Sequence, residues 1–201
     1  MRRVYLAIAA LLSMGVVEIC GASIPEETFS FDSVKIGSTT FAQVQEQYGK
    51  SMVSRLSKED GAPVSICYFF NSPRGKVFVS FESGAMGGWD RVTHMRIAAR
   101  SLGKDCAPVS GNVPVSPGNN IRLRQTRSEF KQKFNVAFSA IGSALRYVKE
   151  SKRDATAEEL DRIRSINSKE KQAQFDVVVE IKAIFKNDLL VDYSVSKIES
   201  F

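Results

Sequence analysis

Two runs of alternating residues near the C-terminal end constrain the fold more than any other feature of the chain. The first run occupies residues 175–185 and the second begins at residue 189. A period of two predicts extended strands with one buried and one exposed face. The apolar phases of the two runs are Phe175, Val177, Val179, Ile181, Ala183 and Phe185, then Leu189, Val191, Tyr193 and Val195. Because Asn187-Asp188 between them suits a two-residue turn, the runs predict an antiparallel hairpin.

The first half of the chain contains a similar set of strand signals. Residues 64–70 are dense in β-forming residues, and the turn-forming residues 71–75 follow them. Residues 76–82 alternate, and 89–98 are predicted as a further strand with Met95 and Ile97 inward. A shorter strand is predicted at 144–148.

Each half also contains a helix signal ahead of its strands. Thr39 or Thr40 caps a predicted helix over 41–48, which Gly49 ends. Thr126 caps a second predicted helix over 127–134, with Phe130 and Phe134 on one side. A third signal is the capping box formed by Thr156 and Glu159, followed by an apolar stripe at Leu160, Ile163 and Ile166.

The order of elements predicts an α+β fold made of two tandem units, each a helix packed on an antiparallel sheet. Residues 36–44 resemble residues 123–130, since each has an apolar residue, a turn, a threonine cap and a helix. We therefore assign residues 23–107 to a first unit and 119–201 to a second. Residues 108–118, rich in proline and glycine, form the linker.

The stretch VKIGSTTFAQVQEQYGKS at residues 34–51 resembles the opening of BamE/SmpA/OmlA-like domains. Those domains have an apolar residue, a glycine and a threonine ahead of a helix that ends at glycine. A tandem pair of such units is similar to the β-lactamase inhibitor protein fold. The chain departs from the pattern in two places: Arg124 stands where the second half should have the glycine, and no lipobox precedes Cys20.

Residues 1–22 have the pattern of a signal peptide, with Arg2 and Arg3 before an apolar run and small residues at a cleavage point after Ala22. The alternative is an uncleaved membrane anchor, but Glu18 makes the run short for a span. No later stretch is apolar enough to cross a membrane. The expected location is the periplasm or the extracellular medium.

Export would leave Cys67 and Cys106 as the remaining cysteines of the mature chain. An even cysteine count in an exported protein favours a disulfide between them. Two buried, unpaired thiols are the alternative.

The sequence contains no pattern that predicts an enzyme, a cofactor or a metal site. His94 is the only histidine of the chain, which disfavours histidine-based metal sites and catalytic triads. The glycine-rich residues 84–88 lack the Lys-Ser/Thr of a phosphate-binding loop. The nucleophile elbow of hydrolases is also missing. The predicted class is a non-catalytic protein.

The candidate binding residues are an aromatic residue, the histidine and a set of arginines. Trp89 is either an exposed binding anchor or a lid over the core, and His94 lies on a predicted strand. Residues 91–133 contain nine basic and two acidic residues, more net charge than the +6 of the whole chain. The arginines expected to bind an anionic partner are Arg96, Arg100, Arg122, Arg124 and Arg127.

The charge pattern limits the classes of partner. A lipid headgroup, a glycan or an acidic face of an envelope protein fits the basic surface, whereas export and the lack of interleaved aromatic residues disfavour nucleic acid. The predicted function is binding of another macromolecule in envelope assembly or maintenance. The alternative is a proteinaceous inhibitor of an exported enzyme, such as a β-lactamase or a cell-wall hydrolase.

Overall fold

The structure is a computed structural model that describes residues 24–55, 57, 62–73, 75–102, 105–109, 118–166 and 173–200. Within these residues the α-helices are α1 (Phe41–Tyr48), α2 (Arg127–Gln132) and α3 (Ala157–Ile166). Short 3-10 helices occur at Glu26–Phe29, Ala85–Gly87 and Gly118–Asn120. The strands are β1 (Ser30–Phe31), β2 (Val34–Lys35), β3 (Ser54–Arg55), β4 (Val64–Ser72), β5 (Gly75–Ser83), β6 (His94–Ala98), β7 (Ala107–Pro108), β8 (Ser139–Ile141), β9 (Ala144–Asp154), β10 (Gln174–Lys186) and β11 (Leu189–Ser200).

Most strands belong to one large sheet. Its order is β3-β4-β5-β6-β11-β10-β9-β8, and every neighbouring pair along this path is antiparallel. The short strand β7 pairs with β4 in parallel, and β1 pairs with β2 separately. The expected mixture of helices with an antiparallel sheet is confirmed, and strand residues outnumber helical ones. The sheet is continuous through both halves because β6 pairs with β11.

Several predicted bounds need correction. The strand predicted at 89–98 begins only at His94, because the chain before it folds into a turn around Ala85–Gly87. The strand predicted at 144–148 continues to Asp154, since it pairs with β10 over that whole length. The second helix ends at Gln132 and not at residue 134.

The helices α1 and α2 pack on the same face of the large sheet. Tyr48 of α1 lies 5.6 Å from Tyr68 and 5.8 Å from Phe70, measured between ring centroids. Phe130 of α2 lies 5.8 Å from Phe185 and 6.0 Å from Tyr193. Directly opposite pairs in the register place these rings on one side of the sheet, where the buried apolar residues form the core.

Both helices begin with a capping box in the predicted place. The Thr40 hydroxyl accepts the backbone N–H of Gln43, whose side chain returns to the Thr40 N–H. Thr126 and Glu129 repeat this arrangement at α2. Such caps satisfy N–H groups that have no partner inside the helix.

A backbone hydrogen bond fastens the loop before each helix to a strand. The Gly37 N–H donates to the Val92 carbonyl at 2.7 Å, and the Arg124 N–H donates to the Leu190 carbonyl at 2.7 Å. Gly37 has φ +88° and Arg124 has φ +69°, so both lie in the left-handed region. The arginine that interrupts the sequence pattern therefore has the kind of backbone conformation for which glycine is favoured.

The predicted disulfide between Cys67 and Cys106 is confirmed. It joins β4 to the segment after β6, and β7 then runs beside β4. The predicted signal peptide, residues 1–22, and most of the predicted linker, 108–118, lie outside the described residues. Within the described part of the chain, no helix has the length and hydropathy needed to span a bilayer.

Candidate functional site

The candidate site is the face of the large sheet opposite to α1 and α2, which we call the open face. Neither of these helices packs on it, and its side chains alternate with those of the core. The register aligns Arg96, Ser194, Lys182 and Arg146 from four successive strands into one row across this face. The neighbouring row contains Glu82, His94, Ser196, Glu180 and Val148.

The pair Arg96–Asp192 lies at the centre of the open face and joins the two halves of the chain. Arg96 Nε donates to Asp192 Oδ1 at 2.9 Å, and Nη2 donates to Oδ2 at 2.6 Å. The side chain of Asp192 is only 6% exposed, whereas that of Arg96 is 36% exposed. The hydrogen bonds that Arg96 donates to Asp192 raise the pKa of the Arg96 guanidinium, against the opposing effect of burial. This two-point contact neutralises a carboxylate that would otherwise be buried without a partner.

Glu82 and His94 form the second polar contact of the open face. His94 Nδ1 lies 2.6 Å from Glu82 Oε2, and the Ser80 hydroxyl donates to Glu82 Oε1 at 3.2 Å. Burial acts to raise the pKa of Glu82, but the hydrogen bond and charge of His94 outweigh it, so the pKa lies below its usual value. Glu82 is therefore an acceptor held in its ionised form, and the pair aligns the imidazole ring on the sheet.

The remaining polar residues surround a shallow depression. Arg146 Nε donates to Glu180 Oε1 at 2.8 Å. The depression has a volume of about 280 Å³ and is lined by Lys182, Ser194 and Ser196 together with the charged pairs. A partner side chain of moderate size fits such a volume.

Apolar side chains flank this polar centre. Phe69 and Phe78 are paired at 6.0 Å between ring centroids, and the Lys76 ammonium lies 4.3 Å from the Phe69 ring. On the other side, Val148 is 43% exposed and Ile198 is 37% exposed. The open face therefore combines exposed apolar side chains with paired charges, and both kinds of group occur in protein-binding surfaces.

The predicted site residues do not form one cluster. His94 and Arg96 lie on the open face, in β6. Trp89, 40% exposed, lies in the turn before β6 with φ +69°.

The other arginines lie near the start of β11. Ala99, next to Arg100, donates its N–H to the Val191 carbonyl, and the Arg124 N–H reaches Leu190. The guanidinium of Arg127 lies 5.0 Å from the Phe185 ring centroid and donates to the Ser143 carbonyl. Phe185 belongs to the core beneath α2, so Arg127 supports packing on the helix side of the sheet.

Arg122 lies in a separate polar groove beside α2. The groove has a volume of about 570 Å³ and is lined by Asn120, Arg122, Gln125, Glu129, Gln132 and Lys133. The basic surface predicted from composition is therefore divided between this groove, the start of β11 and the open face.

Sequence reasoning missed Glu82, Arg146, Lys182, Asp192 and Ser194 as site residues. The signal that would have found most of them is the polar phase of the predicted strands. In β10, and in β11 from Tyr193 onward, the apolar phase marks the core, so the intervening Lys182 and Ser194 had to share the opposite face.

No group of three or more histidine, cysteine or acidic side chains in the described part of the chain has the geometry of a metal site. Comparison with protein-family models, with curated proteins and with solved structures found no match to this chain.

Proposed function

We propose that the chain is a non-catalytic exported protein that binds another protein through the open face. The observation that carries this proposal is the sheet face that α1 and α2 leave uncovered, with ion pairs at its centre and apolar residues at its flanks. The ion pairs Arg96–Asp192 and Arg146–Glu180 hold their side chains in place before any partner arrives. Preorganised side chains lose little conformational entropy on binding.

Export to the periplasm or the extracellular medium is the second part of the proposal. Its support is the signal-peptide pattern of residues 1–22 and the disulfide between Cys67 and Cys106. Disulfides persist in oxidising compartments and are rare in the cytosol. The proposed role is a contact in envelope assembly or maintenance.

The third part of the proposal is that the chain consists of two equivalent units. Thr40 forms a β-bridge with Arg91, and Thr126 forms one with Leu189, which lies 98 positions after Arg91. The hydrogen bonds from Gly37 and Arg124 to their strands repeat the same spacing, at Val92 and Leu190.

The register of β6 with β11 is compatible with the same equivalence. Moving forward 98 positions from His94 gives Asp192, and moving back 98 positions from Ser196 gives Ala98. The pairs His94–Ser196 and Asp192–Ala98 both occur in the sheet. The pair Arg96–Ser194 is related to itself. In this proposal an approximate two-fold axis through the pair Arg96–Ser194 relates the two units. A BamE-like origin of each unit belongs to the proposal and rests on residues 34–51.

The equivalence has an energetic test at Gly37 and Arg124. A protein with alanine at a position of positive φ should be less stable than the same protein with glycine there, by about 1 kcal/mol. The reason is that the Cβ of alanine disfavours the left-handed region. We therefore expect Gly37→Ala to lower the free energy of unfolding by about this amount. Likewise, the free energy of unfolding of Arg124→Gly should be higher than that of Arg124→Ala by about 1 kcal/mol. A Cβ at Gly37 would meet no atom within 4 Å, so the backbone alone decides the effect there.

Lys131 is the matched control, since it is exposed and lies within α2. There Lys131→Gly should be less stable than Lys131→Ala by about 1 kcal/mol, the reverse order. Urea denaturation of the five variants measures all these differences. If the glycine variant were less stable than the alanine variant at Arg124, as expected at Lys131, the two loops would not be equivalent.

Binding through the open face is tested with paired surface variants. Val148→Glu with Ile198→Glu places two charges on the apolar flank of the open face. Met52→Glu with Val53→Glu is the control, because these residues are 65% and 50% exposed and lie outside the large sheet. Immobilised protein is incubated with periplasmic extract, and retained proteins are identified by mass spectrometry. The open-face variant should lose a retained protein that the control variant keeps.

The basic surface is tested in the same experiment. Arg122, Arg124 and Arg127 are replaced together by glutamine, and capture is compared at 0.1 and about 1 M salt, where screening lengths are about 10 and 3 Å. One outcome is that the arginine variant and high salt both abolish capture, whereas the open-face variant captures normally. That outcome would show that the arginines bind the partner, which would be an anionic lipid, glycan or protein. It would contradict the open face as the docking surface.

An inhibitor of an exported enzyme is the second candidate function. The polar network of Glu82, His94, Arg96 and Asp192 favours it, because a rigid, preorganised surface suits the tight complexes that inhibitors form. Retention of a β-lactamase or cell-wall hydrolase, with loss of its activity on adding the purified protein, would select this function. A retained enzyme that keeps full activity would contradict it.

A further inference from the structure

A set of hydrogen-bond donors meets at the centre of the open face. Arg96, Ser194 and Lys182 are direct cross-strand neighbours in β6, β11 and β10. Opposite residues in an antiparallel sheet have Cβ atoms about 4.5–5.5 Å apart, so side chains of this length reach a common point. Ser196 adds a second hydroxyl to the same depression.

The carboxylates beside this depression are already engaged in contacts within the sheet. Asp192 accepts two hydrogen bonds from Arg96, and Glu180 accepts one from Arg146. His94 faces Glu82. Lys182 has no ion-pair partner within the described residues, and its side chain is exposed. Lys182 is therefore the cation of this depression whose ammonium is not engaged by a carboxylate of the described residues.

Several donors remain unused at this point. Arg96 engages Asp192 through Nε and Nη2, which leaves the Nη1 hydrogens of the guanidinium. The hydroxyl groups of Ser194 and Ser196 have no hydrogen-bond partner among the described residues. An ammonium, a guanidinium edge and two hydroxyls are together suited to an oxygen anion.

We infer that this donor set is the anchor site for one carboxylate side chain, aspartate or glutamate, of the protein partner. The inference rests on the proposed function, because the apolar flanks Phe69, Phe78, Val148 and Ile198 suit a polypeptide that carries the anion. Among the described residues that line the depression, the single unpaired ammonium, of Lys182, matches a monoanion. A phosphate dianion carries twice the charge that this ammonium can balance.

Acetate is the probe that tests the anchor. The folded, isotopically labelled protein is titrated with sodium acetate at constant ionic strength against chloride, and amide shifts are followed by NMR. We expect saturable shifts in β6, β10 and β11 around Arg96, Lys182 and Ser194. Acetamide, which has the same shape without the charge, should produce none.

Variants of the donor set give the magnitude. Lys182→Met should weaken acetate binding about tenfold, since hydrogen bonds to charged groups contribute strongly. Ser194→Ala should weaken it about threefold. The matched control is Lys149→Met, because Lys149 is exposed on β9 and lies in the opposite phase of that strand. It should leave acetate binding unchanged.

The outcomes separate the anchor from the docking face. Equal shifts with acetamide, or unchanged affinity in Lys182→Met, would overturn the carboxylate anchor. Phosphate binding more tightly than acetate would overturn the assignment to a monoanion. A parallel titration with phenol probes the apolar flanks. Amide shifts on adding phenol at Phe69, Phe78 or Val148, without acetate binding, would contradict the anchor but not the open face as the docking surface. Shifts with neither probe would count against the proposed function too.

Discussion

The ion pair of Arg96 with Asp192 should respond unequally to removal of its two partners. The Asp192 carboxylate is 6% exposed and the Arg96 side chain is 36% exposed. Arg96→Met leaves a buried carboxylate without its cation, which should cost about 3–5 kcal/mol of stability. Asp192→Asn leaves a guanidinium that can turn toward water and retains an acceptor, so the cost should be about 1.5 kcal/mol. Arg96→Met with Asp192→Leu removes both charges and should be more stable than Arg96→Met alone.

The assay is urea denaturation at pH 7 with a common slope for all variants. Arg146→Met is the matched control on the same face, since Arg146 and Glu180 are 48% and 37% exposed. Breaking that exposed pair should cost under about 1 kcal/mol. If Arg96→Met destabilises the protein no more than Asp192→Asn does, the argument from burial is wrong.

Three further variants test the fold. Replacing Cys67 and Cys106 by serine should cost about 4 kcal/mol in the chain-entropy description, because the bridge spans 39 residues; a change under about 1 kcal/mol in urea denaturation would argue against it. Phe130→Ala should cost about 3–5 kcal/mol by the same assay, since the ring is fully buried; a cost below about 1 kcal/mol would contradict its place in the core. Because the folded-state pKa of Glu82 is lowered, its ionisation stabilises the fold above about pH 4.3 and this contribution is lost as the pH falls through the lowered pKa. The stability deficit of Glu82→Gln should therefore shrink from pH 7 to pH 3; a deficit independent of pH would refute the ionised contact with His94.

Local signals in the sequence predicted the elements well. The alternation at 175–185 fixed which side chains of β10 face the core, since a strand has only two faces. The caps at Thr126 and Thr156, and the alternatives Thr39 and Thr40 for the first helix, could be predicted because a cap depends on residues only a few positions apart. The disulfide followed from cysteine number and the expected compartment.

The order of strands could not be predicted in the same way. β6 pairs with β11 across about 100 positions of sequence, and no turn or local pattern connects them. The contact of Arg96 with Asp192 depends entirely on that pairing, so the polar centre of the open face was not visible in the sequence. Local periodicity gives the face of a side chain, and only the register gives its neighbours.

Charge counting also failed to separate arginines that the fold uses from those that remain available. Arg96 is engaged with a buried carboxylate, and Arg127 lies against the Phe185 ring. Both had been grouped with Arg122 because all three lie in one basic stretch of sequence. Long side chains with apolar stems often support packing, so net charge along the sequence is a weak guide to a binding surface.

The pairing of β6 with β11 gives the binding surface its composite character. Without its partner, each strand would be an edge with unpaired backbone groups, a form that favours uncontrolled association. Joining them satisfies both edges and places Arg96 of the first half beside Ser194 and Lys182 of the second. The donor set at the centre of the open face therefore belongs to neither half alone. In the proposed two-unit organisation, the junction of the units has a surface that a single unit lacks, and we propose that the partner binds there.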